Sequence, residues 1–472
     1  MAYTEFYIRP TGNARNAGST NTDAATVTST NGGWSTTTNV FTAASGTPFS
    51  GVNVGDWASI TTDAATATTF NARVTSVDGG GSTITLSATA KSGTPPTTAA
   101  SGMSCRIGGA WATIGGVGAW FVGTSTNSNG DFPRINLSGT HTYSSAQTIS
   151  SAGTGNLTWE GFTSSPGDGG FATINGGTTG ASYNVINLTG QNHTFRNLWC
   201  KNNGATGNVQ WFQINNTSGR NVFHRVTVSD CRGNAFRVQA GNNVFLECEA
   251  FNFNTGNVAG GSGFNIAGAS ALVRCWAYSS STSNSSGYNI AASGVVLHSC
   301  IAWNNTGSSG GGVTMSAQGS FLIENCVFYA NRIGVIISNS SLAAYGIIEN
   351  SIFENNTTWA IQGAHSRQMG LVYNCAYYNN GGNAHLDTTN NIKWIEIGGI
   401  DLAASTLTDP SNGDFTPNRT DVLGAGRGNF TKNGSSSSTP LSYPNIGAIS
   451  PDLISPDTIA AAIWSYDQRS LT

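Results

Sequence analysis

Apolar residues in the middle of this chain recur in two registers at once, every second residue inside short runs and every 22 to 28 residues between runs. Aligning the segments that end in Cys248, Cys275, Cys300, Cys326 and Cys375 puts five cysteines in one column. Ser351 fills the remaining gap, and Leu198 and Val226 extend the column upstream. The steps along Leu198, Val226, Cys248, Cys275, Cys300, Cys326, Ser351 and Cys375 are 28, 22, 27, 25, 26, 25 and 24 residues. Three residues before this column stand Phe195, Phe223, Phe245, Leu272, Leu297, Ile323, Ile348 and Val372, and two after it Cys200, Val228, Ala250, Ala277, Ala302, Phe328, Phe353 and Tyr377. Strand alternation sends both sets to one interior. Five residues after the column Asn203, Asn305, Asn331, Asn356 and Asn380 recur, at a bend where an amide can satisfy the neighbouring coil's backbone and stack into a ladder. A second strand in each repeat shows as Phe212/Ile214, Phe236/Val238, Phe264/Ile266, Tyr288/Ile290, Val313/Met315 and Val335/Ile337.

Gly and Asn interrupt every 3.6-residue stripe, which excludes a helical repeat. The period predicts an all-β chain, a parallel β-helix with about 25 residues per coil. The crossover preference makes it right-handed. Four segments follow: a small N-terminal β domain over 1–115, the β-helix over 116–385, a closing segment over 386–450 and a C-terminal tail over 451–472. In the tail Ser455 is an N-cap residue, Pro456 suits the first helical turn and Asp457 favours the positive helix end. A short helix from Pro456 to Trp464 is expected, with Ile459, Ile463 and Trp464 as the face that anchors it to a neighbouring subunit.

After the coils, LTDPSNGDFTP, VLGAG and PNIGAIS follow in order between Leu407 and Ser450. Coils with Asn ladders followed by this series resemble the right-handed parallel β-helix repeat proteins, a superfamily that includes pectate-lyase-like enzymes and many phage tail spikes. The resemblance spans roughly 130–450, and it implies the fold more than a function, because binders and enzymes share the scaffold. The final PDTIAAAIWSYDQRSLT resembles closing segments of tailed-phage structural proteins, which implies a place in a virion.

Composition agrees with stacked strands. Charged residues make up only 9%, Gly numbers 61, and 12 Trp, 13 Tyr and 21 Phe give ample apolar surface to bury. The net charge of −3 and the lack of a strong basic patch leave no footprint for nucleic acid or an anionic membrane. The N-terminus MAYTEFYIRP has no basic stretch before an apolar core, and no run of 18 apolar residues follows, so neither a signal peptide nor a transmembrane segment is read. Assembly in a host cytoplasm and a final place on a virion exterior fit that reading. Eight cysteines could pair, but five share one structural position, where Cys behaves as a small apolar residue.

Few side chains carry chemistry. Glu324 and Glu349 are equivalent in adjacent coils, with His298 one coil earlier. They read first as a solvated ladder and second as a weak candidate for a catalytic pair. Glu247 and Arg274 read as a surface ion pair, and Arg220, Arg225, Asp230, Arg232 and Arg237 as ordinary surface, with a grip on an acidic glycan as the second reading. No metal site and no cofactor are expected, since no HExxH or nucleotide fingerprint occurs in a supporting context. An outward aromatic stripe stands above this background: Phe251, Tyr278, Trp303, Tyr329 and Tyr378, interrupted by Glu354 and flanked by Trp276, Ile301, Val327 and Ile352. Its length argues for burial against another chain or the N-terminal domain, and secondly for a sugar-stacking groove. The function expected is a non-enzymatic exterior structural protein of a tailed-phage virion, a capsid decoration, cement or spike. Its expected partners are other virion proteins of capsid or tail, further copies of itself and a host surface glycan. The alternatives are a tail-spike polysaccharide depolymerase and a bacterial surface adhesin.

Overall fold

The computed structural model describes residues 3–11, 22, 24–62, 69–92, 100–108, 110, 114, 132–149, 157–177, 183–203, 209–215, 219–280, 285–308, 310–316, 319–338, 344–363, 369–382, 385–387, 393–419 and 422. The chain is all-β, with about nine turns of parallel β-solenoid at roughly 25 residues per turn and a small N-terminal barrel. It divides into two compact units, residues 1–242 and 243–472.

In the first unit six antiparallel strands between Val27 and Ile107 close into a barrel around Phe41, Phe49, Ile60, Phe70 and Ile84. Gly32 lies where the Phe41 ring passes so close that a Cβ would overlap it. The strand Tyr3–Ile8 is not part of the barrel, although the expected N-terminal domain begins with it. It pairs in parallel with Phe132–Ser138, Phe6 beside Ile135, and that strand pairs with Leu157–Phe162. Phe6 and Ile8 give it two buried positions, and a barrel closed at six strands has no edge to receive it. The barrel is therefore inserted behind the first solenoid strand.

The second unit repeats one coil plan. A long strand, as in Asn243–Leu246, Ser270–Val273, Val295–His298, Gly319–Glu324, Ala344–Glu349 and Met369–Tyr373, pairs in parallel and in register with its equivalent in the next coil. The chain then bends at one residue in the left-handed region, namely Glu247, Arg274, Ser299, Asn325, Asn350 or Asn374, with φ between 48° and 55°. A short strand follows, such as Glu249–Phe251, Ile301–Asn305 or Val327–Tyr329. A second left-handed bend comes at Asn252, Ser279, Asn304, Ala330, Asn355 or Asn379. Asn is frequent at both bends because its short amide tolerates this region. Every interior residue named from the period is buried.

Cys occupies the place after the first bend for a physical reason. The thiols of Cys275, Cys300 and Cys326 lie 3.4, 3.3 and 3.6 Å from the carbonyls of Phe245, Leu272 and Leu297 in the preceding coil, so a small apolar group also acts as a weak donor. Ser351 takes the same place with a hydroxyl, which donates within its own coil to Glu349 O at 2.9 Å and accepts from Cys326 N of the preceding coil at 3.1 Å. All eight cysteines are buried and unbridged, and burial pushes the Cys375 thiol up to about 12. Past the second bend the asparagine ladder runs unbroken from Asn305 through Asn331 and Asn356 to Asn380, whereas Asn203 stands opposite Cys231. Asn331 Nδ2 donates to Ala302 O at 2.8 Å and to Asn356 Oδ1 at 3.3 Å, while its Oδ1 accepts from Asn305 N and Nδ2 at 3.2 and 3.0 Å.

The coils run further than residue 385. Lys393–Ile397 pairs with Met369–Tyr373, and Ile400–Asp401 pairs with Ala376–Tyr378. His385 stacks on Tyr377 at 3.6 Å, with Nδ1 2.8 Å from Glu396 and Nε2 2.7 Å from Asp401. This ring continues the interior stack of Phe353 and Tyr377. The expected helix from Pro456 to Trp464, its anchor residues Ile459, Ile463 and Trp464, and the motif PNIGAIS lie outside the described residues.

Two outcomes test this account. Replacing Asn331 by Ala strips a buried carbonyl of its donor and two buried donors of their acceptor, so urea unfolding should show a loss of about 3 kcal/mol. A loss under about 1 kcal/mol would make the ladder ornamental. Thiol titration of the native protein should label few cysteines, and all eight after denaturation without reductant. Thiols that remain blocked in the unfolded chain would show disulfides and refute the free interior column.

Candidate functional site

Three outward faces of the second unit carry the candidate residues. On the short-strand face, Tyr278 stacks on Phe251 at 5.3 Å and meets Trp303 at 4.9 Å with the rings tilted by 45°, and its hydroxyl donates to Glu249 at 2.6 Å. Beyond them the stripe is covered. The closing segment returns over the face as a hairpin, Leu407–Asp409 against Asp414–Pro417. The DPSNGD sequence dictates that turn. Asp409 accepts from Ser411 Oγ and Asn412 Nδ2 at 2.9 and 2.7 Å, Pro410 opens a 3-10 turn, and Gly413 closes it at φ 86°. The hairpin delivers Phe415 edge-on to Trp276, Trp303 and Tyr329 at 6.1, 5.1 and 6.0 Å. Leu402, Leu407 and Val422 cover Ile301, Val327, Ile352 and Ala376 in the same cluster, with Tyr378 half-buried at its margin. At these positions the cover comes from the chain's own closing segment, where the sequence had pointed first to another chain or the N-terminal domain. A hairpin of alternating apolar residues, too small to fold alone, takes the nearest unpartnered apolar face.

Glu354, which breaks the aromatic stripe, fastens this cover. It is fully buried and accepts hydrogen bonds from Ser405 Oγ, Thr406 N and Thr406 Oγ1. Burial raises its pKa, and these donors offset only part of the shift.

Along the long strands, Glu324 and Glu349 are in register in adjacent coils, and His298 is in register with Glu324. His298 Nδ1 lies 3.1 Å from Glu324 Oε2, with both side chains partly exposed. Burial, and then the neighbouring Glu324 charge, raises the Glu349 pKa. Among the described residues no group of three or more His, Cys, Asp or Glu is placed to hold a metal ion.

The third face was not anticipated from the sequence. Tyr345, Ile347, Met369, Ile395 and Ile397 point outward from three adjacent long strands and are between 43% and 63% exposed. Register makes them one patch, with Tyr345 beside Met369, Leu371 between Ile347 and Ile395, and Tyr373 beside Ile397. The signal was present in YGIIE, MGLVY and KWIEI, where residues of both parities are apolar. Inward, the rings of Phe321 and Trp394 fill the space over Gly346 and Gly370.

Coils and faces together define a parallel β-helix repeat protein. No protein-family model and no curated protein matches the chain. Among solved structures it is similar to pectate lyase Pel9A, at 15% identity over 67% of this chain and 87% of that one, with a TM-score of 0.44. It is similar also to a rhamnogalacturonan lyase, at 13% identity over 75% and 94%, with a TM-score of 0.45. A pectin methylesterase from Aspergillus niger follows at 15% identity over 61% and 89%, with a TM-score of 0.28.

Glu354 makes a pH test. A carboxyl whose folded pKa is raised stabilises the protonated fold relative to the ionised one. That contribution is complete below the ordinary Glu value and is lost as pH rises through the raised one. The stability difference between the native protein and Glu354→Gln should therefore shift in favour of the variant as pH climbs from about 4 to 8. A difference independent of pH in thermal melts would show that the carboxyl is not desolvated.

Proposed function

We propose that this chain is a non-enzymatic structural protein on the exterior of a tailed-phage particle, a decoration, cement or spike component, held against a neighbouring subunit by the outward patch at Tyr345, Ile347, Met369, Ile395 and Ile397. That patch is the observation that carries the proposal. Fully burying one such side chain contributes about 1.5–3 kcal/mol, and a rigid sheet loses little entropy in presenting five of them. Contiguous apolar surface of this kind marks a protein contact. Support for the phage setting is the resemblance of the closing segment and tail described above. The partners are other virion proteins and further copies of the chain.

The test is Ile347→Ser with Ile395→Ser. The double variant should melt within a few degrees of the parent, because both side chains face outward. It should also lose self-association in sedimentation velocity or incorporation into particles. Unchanged assembly would remove the basis of the proposal. The register of Glu324 with Glu349 favours a second reading, a polysaccharide depolymerase with Glu349 as the proton donor. Release of reducing sugar from host polysaccharide, abolished by Glu349→Gln, would establish it in place of the first.

A further inference from the structure

On the first unit the same outward columns have a different chemistry. Register places Ala172–Asn175 beside Leu198–Lys201, and those residues beside Val226–Ser229. The outward rows are then Thr173, Trp199, Thr227 and Asn175, Lys201, Ser229, of which Ser229 is buried, with Phe171 and Arg225 two residues earlier on the outer strands. Trp199 is 41% exposed and Phe171 36%. They are diagonal neighbours, so their Cα atoms are separated by about 8 Å. The Trp199 indole donates to Ser229 Oγ at 3.3 Å, which fixes the ring against the sheet. Lys201 Nζ lies 5.3 Å from the Trp199 ring and the Arg225 guanidinium 5.0 Å from the Phe171 ring. Neither cation has a carboxylate partner among the described residues. The acidic side chains on this stretch are Asp168 and Asp230. The Asp168 carboxylate is turned into its own loop, accepting from the backbone N–H groups of Thr163, Ser164, Ser165 and Gly170.

We infer that this face, centred on Trp199 and Phe171 with Lys201 and Arg225, binds an anionic oligosaccharide. Exposed rings offer flat apolar faces to the C–H surface of pyranose units. Thr and Asn side chains between them supply hydrogen bonds, and two cations beside the rings, with no carboxylate partner among the described residues, match carboxylate or sulfate groups. A protein partner would be met by Ile and Val between the rings, as on the covered stripe of the second unit, and here those positions hold Thr and Asn. Of the basic cluster noticed in the sequence, Arg225 contributes to this face, whereas Arg237 lies on another sheet beside Gln213. The inference does not rest on the structural role proposed above, because the patch tested there belongs to other residues.

The full chain should be titrated calorimetrically with alginate hexasaccharide, with maltohexaose as the neutral control. Saturable binding of the alginate probe is expected, weakened at least about tenfold by Trp199→Ala and by Lys201→Gln, and weakened also as salt is raised. Maltohexaose should not compete. Both substitutions face outward, and equal melting temperatures will confirm intact coils; Phe171→Ala provides an independent third variant should either one misfold. The inference is overturned if the parent chain shows no saturable alginate binding at millimolar probe, if the variants bind as the parent does, or if maltohexaose binds equally well.

Discussion

Two left-handed bends, five residues apart in every coil, are the constraint from which the rest of this structure follows. Between Asn325 and Ala330, for example, the chain turns twice around a three-residue strand, Val327–Tyr329. Each turn leaves backbone groups that cannot be satisfied within their own coil, and the interior offers no water to replace them. In most coils of the second unit the residue just inside a bend is small and able to hydrogen-bond to backbone. Cys or Ser answers this after the first bend from Cys248 to Cys375, and Asn after the second from Asn305 to Asn380.

The interior being committed in this way, variation is free only outside, and the outward faces diverge. In the second unit the short-strand face carries Ile301, Val327 and Ile352 and is sealed by the hairpin that presents Phe415. The same columns in the first unit carry Thr173, Trp199, Thr227 and Lys201. Identical backbone geometry thus supports an apolar seam in one place and a wet, ring-bearing face in another. Functional differences on such a scaffold reside in outward columns read coil by coil.

Interior columns were legible in the sequence because burial repeats with the coil, and a period near 25 residues survives small changes in loop length. The placement of Tyr3–Ile8 was not legible, since its partner stands about 130 residues downstream and six residues of alternating pattern suit a barrel as well as a coil. The cover over Trp303 was hidden for a related reason. Its turn chemistry in DPSNGD is plain, but which face a hairpin lands on is a tertiary choice. Glu354 held a clue in being the one carboxylate in an aromatic column, and its buried partners at Ser405 and Thr406 explain the exception. The outward patch around Ile347 and Ile395 escaped notice because its strands are apolar on both faces, which removes the alternation that separates inside from outside.

A solenoid stacks like upon like, and this decides which polar residues it can repeat. An amide is donor and acceptor at once, so Asn331 can give to Asn356 and receive from Asn305, and each added coil extends the chain of bonds. A carboxylate only accepts. Stacked on another it repels, and among the described residues the in-register Glu324 and Glu349 show the consequence, with His298 in hydrogen-bond reach of Glu324 and a raised pKa at Glu349. Arg274 beside Glu247 avoids the repulsion with opposite charges in successive coils, at 2.6 Å. Each such partner occupies a neighbouring coil, so every charge in a column constrains the residue above or below it. The charged fraction of 9% is the compositional trace of that restriction. Among the described residues Lys201 and Arg225 stand outside that restriction, each set beside an exposed ring and not beside a carboxylate.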